Sequence, residues 1–248
     1  KTKNITNELD MKKILITQKL LRSCEEKASK IFDAKLNGND ELYSQSKLIE
    51  LSQGCDAILT SLTDKMDKDT INKLPDSIKV ISNFAVGFGN IDLEAAKDKN
   101  IIVTNTPDVL TDATAEITIL LILGAARRAS EGIEYAKNSN WKWSADFLIG
   151  KQLTGARLGV LGMGRIGRAV AKLAKVFGMI IHYHNRSKLS PELEDGVIYH
   201  DSIKSLFSVS DILSINCPTT KETVNIINKE TLEYFPTGAI ITNSARGD

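Results

Sequence analysis

One short segment constrains this chain more than any other. The apolar run Arg157-Leu158-Gly159-Val160-Leu161 leads directly into Gly162-Met163-Gly164-Arg165-Ile166-Gly167. Ile166, Val170, Leu173 and Phe177 then recur at helical spacing, with Lys172 and Lys175 on the other face. A strand that turns through glycines into an amphipathic helix is part of a β-α-β unit, and such units build parallel sheets covered by helices. The rest of the chain repeats the alternation. Strands are expected over Lys13–Thr17, Ala57–Leu62, Val80–Asn83 and Ile101–Thr104, and again over Arg157–Leu161, Ile180–Tyr183, Ile212–Ile215 and Ala239–Asn243. The fold class is therefore α/β with parallel sheets.

Between the two sets of strands lies a helical stretch, Thr111 to Asn138, followed by the aromatic loop Trp141-Lys142-Trp143. Thr106-Pro107 interrupts structure just before it, because a proline disfavours helix in its predecessor. A domain junction is placed near residue 107, dividing 11–107 from 108–248. Residues 1–10 are polar and read as a disordered extension. Met11-Lys12-Lys13-Ile14-Leu15-Ile16 resembles a true start running into the first strand.

Composition narrows the partners. The 248 residues carry a net charge of +1, and their lysines and arginines are scattered, so neither nucleic acid nor a membrane surface is an expected partner. The most apolar run, Ile117 to Ala126, is far shorter than the ~20 residues needed to span a bilayer. Cys24, Cys55 and Cys217 show no metal-ligand spacing, and an odd cysteine count without a signal peptide fits a reducing cytoplasm.

A glycine triplet gains meaning from the strand before it and the helix after it. Gly162 permits a tight turn, Gly164 lets backbone approach a pyrophosphate, and Gly167 lets the helix pack on the strand. The helix N-terminus adds free N–H groups for phosphate. The bland alternative is a strand–helix turn without a ligand. An NAD site usually carries an acid about 20 residues further on, to hold the ribose 2′-hydroxyl. That position holds Asn185-Arg186-Ser187, and no acid. Arg186 would instead bind a 2′-phosphate, with Asn185 and Ser187 adding hydrogen bonds. NADP(H) is therefore the expected cofactor, with NAD(H) possible.

On the substrate side, Phe84-Ala85-Val86-Gly87-Phe88-Gly89-Asn90-Ile91-Asp92 follows a strand, and glycines there let backbone N–H groups converge on an anion. Taken alone, such a stretch is more often a structural turn. Arg246, just beyond the last strand, has the geometry to clamp a 2-keto acid with two hydrogen bonds, although a lone arginine is more often a surface residue. His182, His184 and His200 are read as structural or surface residues. Carbonyl reduction also needs a proton donor, and none of the three suits that role.

Together these motifs resemble the D-2-hydroxyacid dehydrogenase family, in particular its glyoxylate/hydroxypyruvate reductase branch. The matching stretches are Val86 to Asp92, Asn105 to Glu116, Leu153-Thr154-Gly155, the Gly162 loop, Cys217-Pro218-Thr219-Thr220 and Asn243-Ser244-Ala245-Arg246-Gly247. The resemblance implies two doubly wound domains. One is a Rossmann cofactor domain and the other a smaller flavodoxin-like substrate domain, both incomplete at the C-terminus. It implies that Val86 and Gly87 bind the substrate carboxylate through backbone amides, and that Arg246 is catalytic. It places Thr114, Gly162, Gly164, Arg165, Ile166, Gly167, Asn185, Arg186 and Ser187 on the cofactor. Cys217, Pro218, Thr223 and Ala245 would line its nicotinamide side. A homodimer through Thr111–Trp143 is implied as well. Gly89 departs from the Asp or Asn common in the family. The family's catalytic Glu and acid–base His lie beyond Arg246-Gly247, so this chain is expected to be C-terminally truncated, to bind NADPH poorly and to turn over slowly or not at all. The expected reaction is reduction of glyoxylate or hydroxypyruvate to the D-2-hydroxy acid. Alternatives are a nucleotide-sensing or corepressor-like binding protein, or a sibling such as phosphoglycerate dehydrogenase. Arg246 favours the enzyme, and the lack of a cationic cluster near Phe84–Asp92 disfavours a phosphorylated substrate.

Overall fold

Every strand pair among the described residues is parallel. The computed structural model describes residues 11–138 and 142–247, so the extension expected over residues 1–10, Trp141 of the aromatic loop and Asp248 lie outside the described residues. The chain divides into two compact units, one ending at Val109 and the other beginning at Leu110.

The first unit contains β1 (Lys13–Ile16), β2 (Asp33–Lys35), β3 (Ala57–Thr60), β4 (Val80–Asn83) and β5 (Ile102–Thr104). Its helices are α1 (Arg22–Ile31), α2 (Gln45–Leu51), α3 (Lys68–Lys73) and α4 (Leu93–Asp98). The strand order is β2-β1-β3-β4-β5, the flavodoxin-like order of a doubly wound sheet. Leu15, Ile58 and Ile81 of the sheet pack with Leu48, Ile71, Ala95 and Ala96 of the helices in one buried cluster. Strand β3 stops at Thr60, short of the expected Leu62. The Thr60 hydroxyl and the Ser61 N–H both turn to the Asp64 carboxylate, at 2.8 and 3.0 Å, which ends the ladder.

The second unit contains α5 (Thr111–Ala126), α6 (Ala129–Lys137), β6 (Arg157–Leu161), α7 (Arg165–Val176), β7 (Ile180–His184), α8 (Pro191–Glu194), β8 (Ile198–Tyr199), α9 (Ile203–Val209), β9 (Ile212–Ile215), α10 (Lys229–Leu232) and β10 (Ile240–Asn243). Its strand order is β10-β9-β6-β7-β8. Numbered within the unit and read from the β8 edge, that is 3-2-1-4-5, the Rossmann order. The core is built from Leu158, Val160, Ile181, Tyr183 and Ile212 of the sheet against Ile119, Ile122, Val170 and Ala174.

The helix expected over Thr111 to Asn138 is two helices. Arg128 adopts a left-handed conformation at φ 53°, and its guanidinium folds onto Glu131 at 2.9 and 2.6 Å, so the chain breaks between α5 and α6. Phe177, expected on the inner face of α7, follows the helix and is substantially exposed. Gly167, Val170, Ala171 and Ala174 form the buried face instead, because α7 approaches its neighbours through small residues. The edge strands β2 and β8 are additions to the expected set. No helix of the described residues is long and apolar enough to cross a membrane.

Candidate active site

In a doubly wound sheet, ligands bind outside the carboxyl ends of the strands, where the strand order reverses. In the second unit that point lies between β6 and β9, since β6 is followed by β7 on one side and paired with β9 on the other. Two loops meet there. Gly162 has φ 95°, a conformation that side chains resist, and a Cβ on it would lie 2.6 Å from the Cys217 nitrogen. The turn after β6 thus touches the turn after β9 backbone to backbone. A Cβ on Gly167 would sit 2.2 Å from the Gly162 carbonyl oxygen, which fixes how closely α7 joins the strand.

Gly164 is different. A Cβ there would meet nothing within 4 Å, so the space beside it is open. Gly164 is also the N-cap of α7 and offers no side-chain cap, and the Ile166 and Gly167 N–H groups in the first turn bond no carbonyl of the described residues. Open space, bare N–H donors and the positive end of a helix dipole suit a pyrophosphate. The residues present fit a dinucleotide. Arg165 at the start of α7 is exposed, whereas Ile166 packs on the core, so any contact it makes with a ligand is through backbone.

The end of β7 supports this loop. The His184 carbonyl accepts the Gly162 N–H at 3.1 Å, and Asn185 Oδ1 accepts the Met163 N–H at 2.7 Å. Asn185 therefore spends its oxygen on the glycine turn and keeps its NH₂ group. Arg186 and Ser187 are exposed. The Thr220 hydroxyl and, less strongly, the Arg186 guanidinium hold the Glu222 carboxyl below its ordinary range. Tyr183 lies beneath this segment. Its phenol donates to Glu194 at 2.7 Å and accepts the Leu189 N–H at 3.0 Å, and burial first, then the Glu194 bond, pushes its pKa up to about 12.

A cleft of about 200 Å³ opens at the ends of β9 and β10. Cys217, Pro218, Thr223 and Arg246 are among its walls, so the structure brings these four expected residues together. Gly162, Gly164 and Ala245 do not line it. The Thr223 hydroxyl donates to the Pro218 carbonyl at 2.7 Å and accepts the Thr220 N–H at 2.7 Å, so it shapes the loop. Burial pushes the Cys217 thiol up, which keeps it protonated and apolar in character. Arg246 is exposed and donates to the Ala245 carbonyl at 2.7 Å.

Two supports of this edge escaped the sequence reading. The Asn243 side chain accepts the Ala245 N–H at 2.9 Å and donates to the Arg246 carbonyl, fixing the turn that carries the guanidinium. An asparagine ending a strand before a glycine turn was the available signal. The Thr118 hydroxyl donates to the Thr114 carbonyl at 2.8 Å and meets the Ser244 hydroxyl at 2.7 Å, so α5 is tied to the same turn. Nothing in the local sequence announces that link.

The histidines sit elsewhere. His182 is buried, and its Nδ1 meets His200 Nε2 at 2.9 Å; His184 Nδ1 contacts the His200 carbonyl at 2.8 Å, and His200 Nδ1 meets the Ser205 hydroxyl at 2.7 Å. Burial is the main cause holding the His182 and His200 pKa values below the ordinary imidazole range. No group of three metal-ligating side chains occurs among the described residues.

In the first unit, Val86 and Gly87 are half-buried in the loop after β4. The Val86 carbonyl accepts from Asn105 Nδ2 and the Gly87 carbonyl from Asn83 Nδ2, each at 2.8 Å. Their N–H groups bond no carbonyl of the described residues.

A Rossmann-ordered sheet with a glycine turn and a bare helix N-terminus at its switch point defines a dinucleotide-binding α/β protein. The model of the family described as D-isomer specific 2-hydroxyacid dehydrogenase, NAD binding domain, matches residues 119–248. A glycerate dehydrogenase of Hyphomicrobium methylovorum is 41% identical over 97% of this chain and 76% of its own length. A glyoxylate reductase of Thermococcus litoralis is 38% identical over 95% of this chain and 72% of its own length. Among solved structures, a glyoxylate reductase from Paecilomyes thermophila superposes with a TM-score of 0.84 at 34% identity, covering 96% of this chain and 75% of that one. The chain belongs to the D-isomer specific 2-hydroxyacid dehydrogenase family, whose members are oxidoreductases.

Proposed function

We propose that this protein reduces a small 2-keto acid, glyoxylate or hydroxypyruvate, to the D-2-hydroxy acid with NADPH. The observation that carries the reading is the shared cleft of Arg246 with Cys217, Pro218 and Thr223, at the sheet edge that also bears the glycine turn. A reduced nicotinamide, when bound, supplies a hydride to the keto carbon. Arg246 provides a planar pair of donors for carboxylate and carbonyl oxygen, and stabilises the negative charge that grows on that oxygen until a proton from water neutralises it. Val86 and Gly87 supply backbone N–H groups to the carboxylate. The relatives named glycerate dehydrogenase and glyoxylate reductase support this substrate class.

Residues 11–107 form the substrate domain in this reading and 108–248 the cofactor domain. Thr114, Gly162, Gly164, Arg165, Ile166 and Gly167 hold the dinucleotide, and Cys217, Pro218, Thr223 and Ala245 face its nicotinamide. Preference for NADPH over NADH rests on Asn185-Arg186-Ser187, where a carboxylate would repel a 2′-phosphate and a guanidinium attracts it. A second copy of the chain is the proposed partner, seated on Thr111–Trp143. Helix α5 leaves Ile117, Leu120 and Leu121 exposed opposite its buried face, which supports that placement. The proposed setting is a reducing cytoplasm, consistent with the free cysteines Cys24, Cys55 and Cys217.

The test is to titrate the protein with NADPH and NADH, then follow oxidation of each with glyoxylate and hydroxypyruvate. Tighter binding of NADPH than of NADH is expected, with slow turnover of either acid by this chain. Tighter NADH binding would overturn the cofactor assignment. Binding without turnover of any 2-keto acid would favour the nucleotide-sensing alternative. A monomer in sedimentation equilibrium would remove the dimer.

A further inference from the structure

The loop after β4 is held by the wrong sides of its own peptides for an ordinary turn. Three successive carbonyls, those of Ala85, Val86 and Gly87, each accept a hydrogen bond, from the Thr106 N–H at 3.0 Å, Asn105 Nδ2 at 2.8 Å and Asn83 Nδ2 at 2.8 Å. In a trans peptide the N–H points opposite to the carbonyl of the preceding residue. Fixing these three carbonyls therefore fixes the N–H groups of Val86, Gly87 and Phe88 on the other side, where none bonds a carbonyl of the described residues.

The side chains that do this are themselves anchored. Asn83 is fully buried and also donates to Asn90 Oδ1 at 3.1 Å. Asn90 Nδ2 donates to the carbonyls of Ser61 at 2.9 Å and Asp64 at 3.2 Å. Asp64, 1% exposed, gathers the hydroxyls of Thr17 and Thr60 and the Ser61 N–H on one carboxylate oxygen. Asp64 Oδ1 is buried without a hydrogen-bond partner among the described residues, but the joints that run from Asp64 Oδ2 through Asn90 to Asn83 are all bonded, and such a buried polar network is stiff. A stiff support beneath a row of outward N–H groups is what anion recognition needs, because donors set in advance lose little freedom on binding.

We propose that Asn83 and Asn105 are positioning residues for the substrate carboxylate, and that the Phe88 N–H is an additional donor to it. This rests on the reading of Val86 and Gly87 as the carboxylate site. Asn105 sets the Gly87 N–H and Asn83 sets the Phe88 N–H; neither side chain touches the substrate. Their loss weakens the hold on the carboxylate equally in the ground state and the transition state, so it raises KM and leaves kcat in place.

The experiment compares the wild type with Asn105→Leu and Asn83→Leu, measuring KM and kcat for glyoxylate, inhibition by oxamate, and the dissociation constant of NADPH. The expected result is a rise of about tenfold in both KM and the oxamate inhibition constant, since small misplacements of binding groups carry effects of this size or larger. The kcat should stay within about threefold and NADPH affinity should be unchanged. An unchanged KM, or a fall in kcat without a change in KM, overturns the proposal. Asn105 is only half-buried, so its variant decides the matter if Asn83→Leu fails to fold. A wild type that reduces no 2-keto acid would instead defeat the proposed function, before either variant is tested.

Discussion

At their amino edges the two sheets are built alike. The Lys13 N–H donates to Asp56 at 2.8 Å where β1 meets β3, and the Arg157 N–H donates to Asp211 at 2.9 Å where β6 meets β9. In each case the acid stands just before the partner strand, and a basic side chain closes the pair: Lys12 on Asp56 at 3.2 Å, and the Arg157 guanidinium on Asp211 at 3.0 and 3.1 Å. At their carboxyl edges they differ. The first sheet presents backbone N–H groups by binding the opposing carbonyls with asparagine side chains. The second presents them by removing side chains altogether, so that Gly162, Gly164 and Gly167 leave bare backbone around a helix start. The amino edges solve one problem, strand pairing, and converge on one solution. The carboxyl edges serve different ligands in the proposed function, and each has its own way of exposing donors.

The largest effect should come from the glycines, which are not equivalent. Gly162→Ala adds a Cβ at 2.6 Å from the Cys217 nitrogen in a left-handed conformation, and strain plus overpacking should cost on the order of 4 kcal/mol in chemical denaturation. Gly164→Ala should leave stability within about 0.5 kcal/mol, because its Cβ meets nothing. It should nevertheless weaken NADPH binding at least tenfold, about 1.4 kcal/mol. Equal losses of stability in the two variants would erase the distinction between packing and ligand glycines.

The asparagine-supported edge predicts the next effect. Asp64→Ala removes the acceptor from two buried hydroxyls and a buried N–H, of which only the Thr17 hydroxyl keeps a second acceptor, the Leu59 carbonyl at 3.2 Å. Orphaned buried donors make this worth about 3 kcal/mol in denaturant melts. A loss below half of that would show the network to be ornamental to the fold of the first unit.

The smallest effect tests the similarity. The Arg157 partner holds the Asp211 carboxyl at about 2, below its ordinary 3.8. A folded-state value below the unfolded one means that the pair stabilises above the unfolded pKa and fades as pH falls from about 3.8 towards about 2. Wild type and Asp211→Asn should therefore differ by about 1 kcal/mol at neutral pH, after allowance for solvent screening, and converge at acid pH. Asp56, more exposed and held low chiefly by the Lys13 N–H, should show the same direction with a smaller amplitude. A difference that grows as pH falls would contradict the sign.

Much of this fold is written in apolar runs. Val80–Asn83, Arg157–Leu161 and Ile212–Ile215 are central strands, covered on both faces, and such strands appear in sequence as continuous hydrophobic stretches. The edge strands are not legible. Asp33-Ala34-Lys35 and Ile198-Tyr199 are short, have one neighbour each, and owe their conformation to that neighbour's backbone. The break at Arg128 also leaves no glycine or proline to mark it. At the candidate site, the glycine turn is legible because only glycine satisfies both the φ of Gly162 and the approach at Gly167. Asn83, Asn105 and Asn243 are not, because an asparagine in sequence does not reveal which distant carbonyl its amide will find.

Asn185 carries one more consequence. Its carbonyl oxygen takes the Met163 N–H, and an aspartate in its place would offer an equivalent oxygen to the same donor. The glycine turn would stay closed while a negative charge entered beside Arg186. If the proposed coenzyme preference holds, Asn185→Asp should shift it from NADPH towards NADH without rebuilding the scaffold underneath.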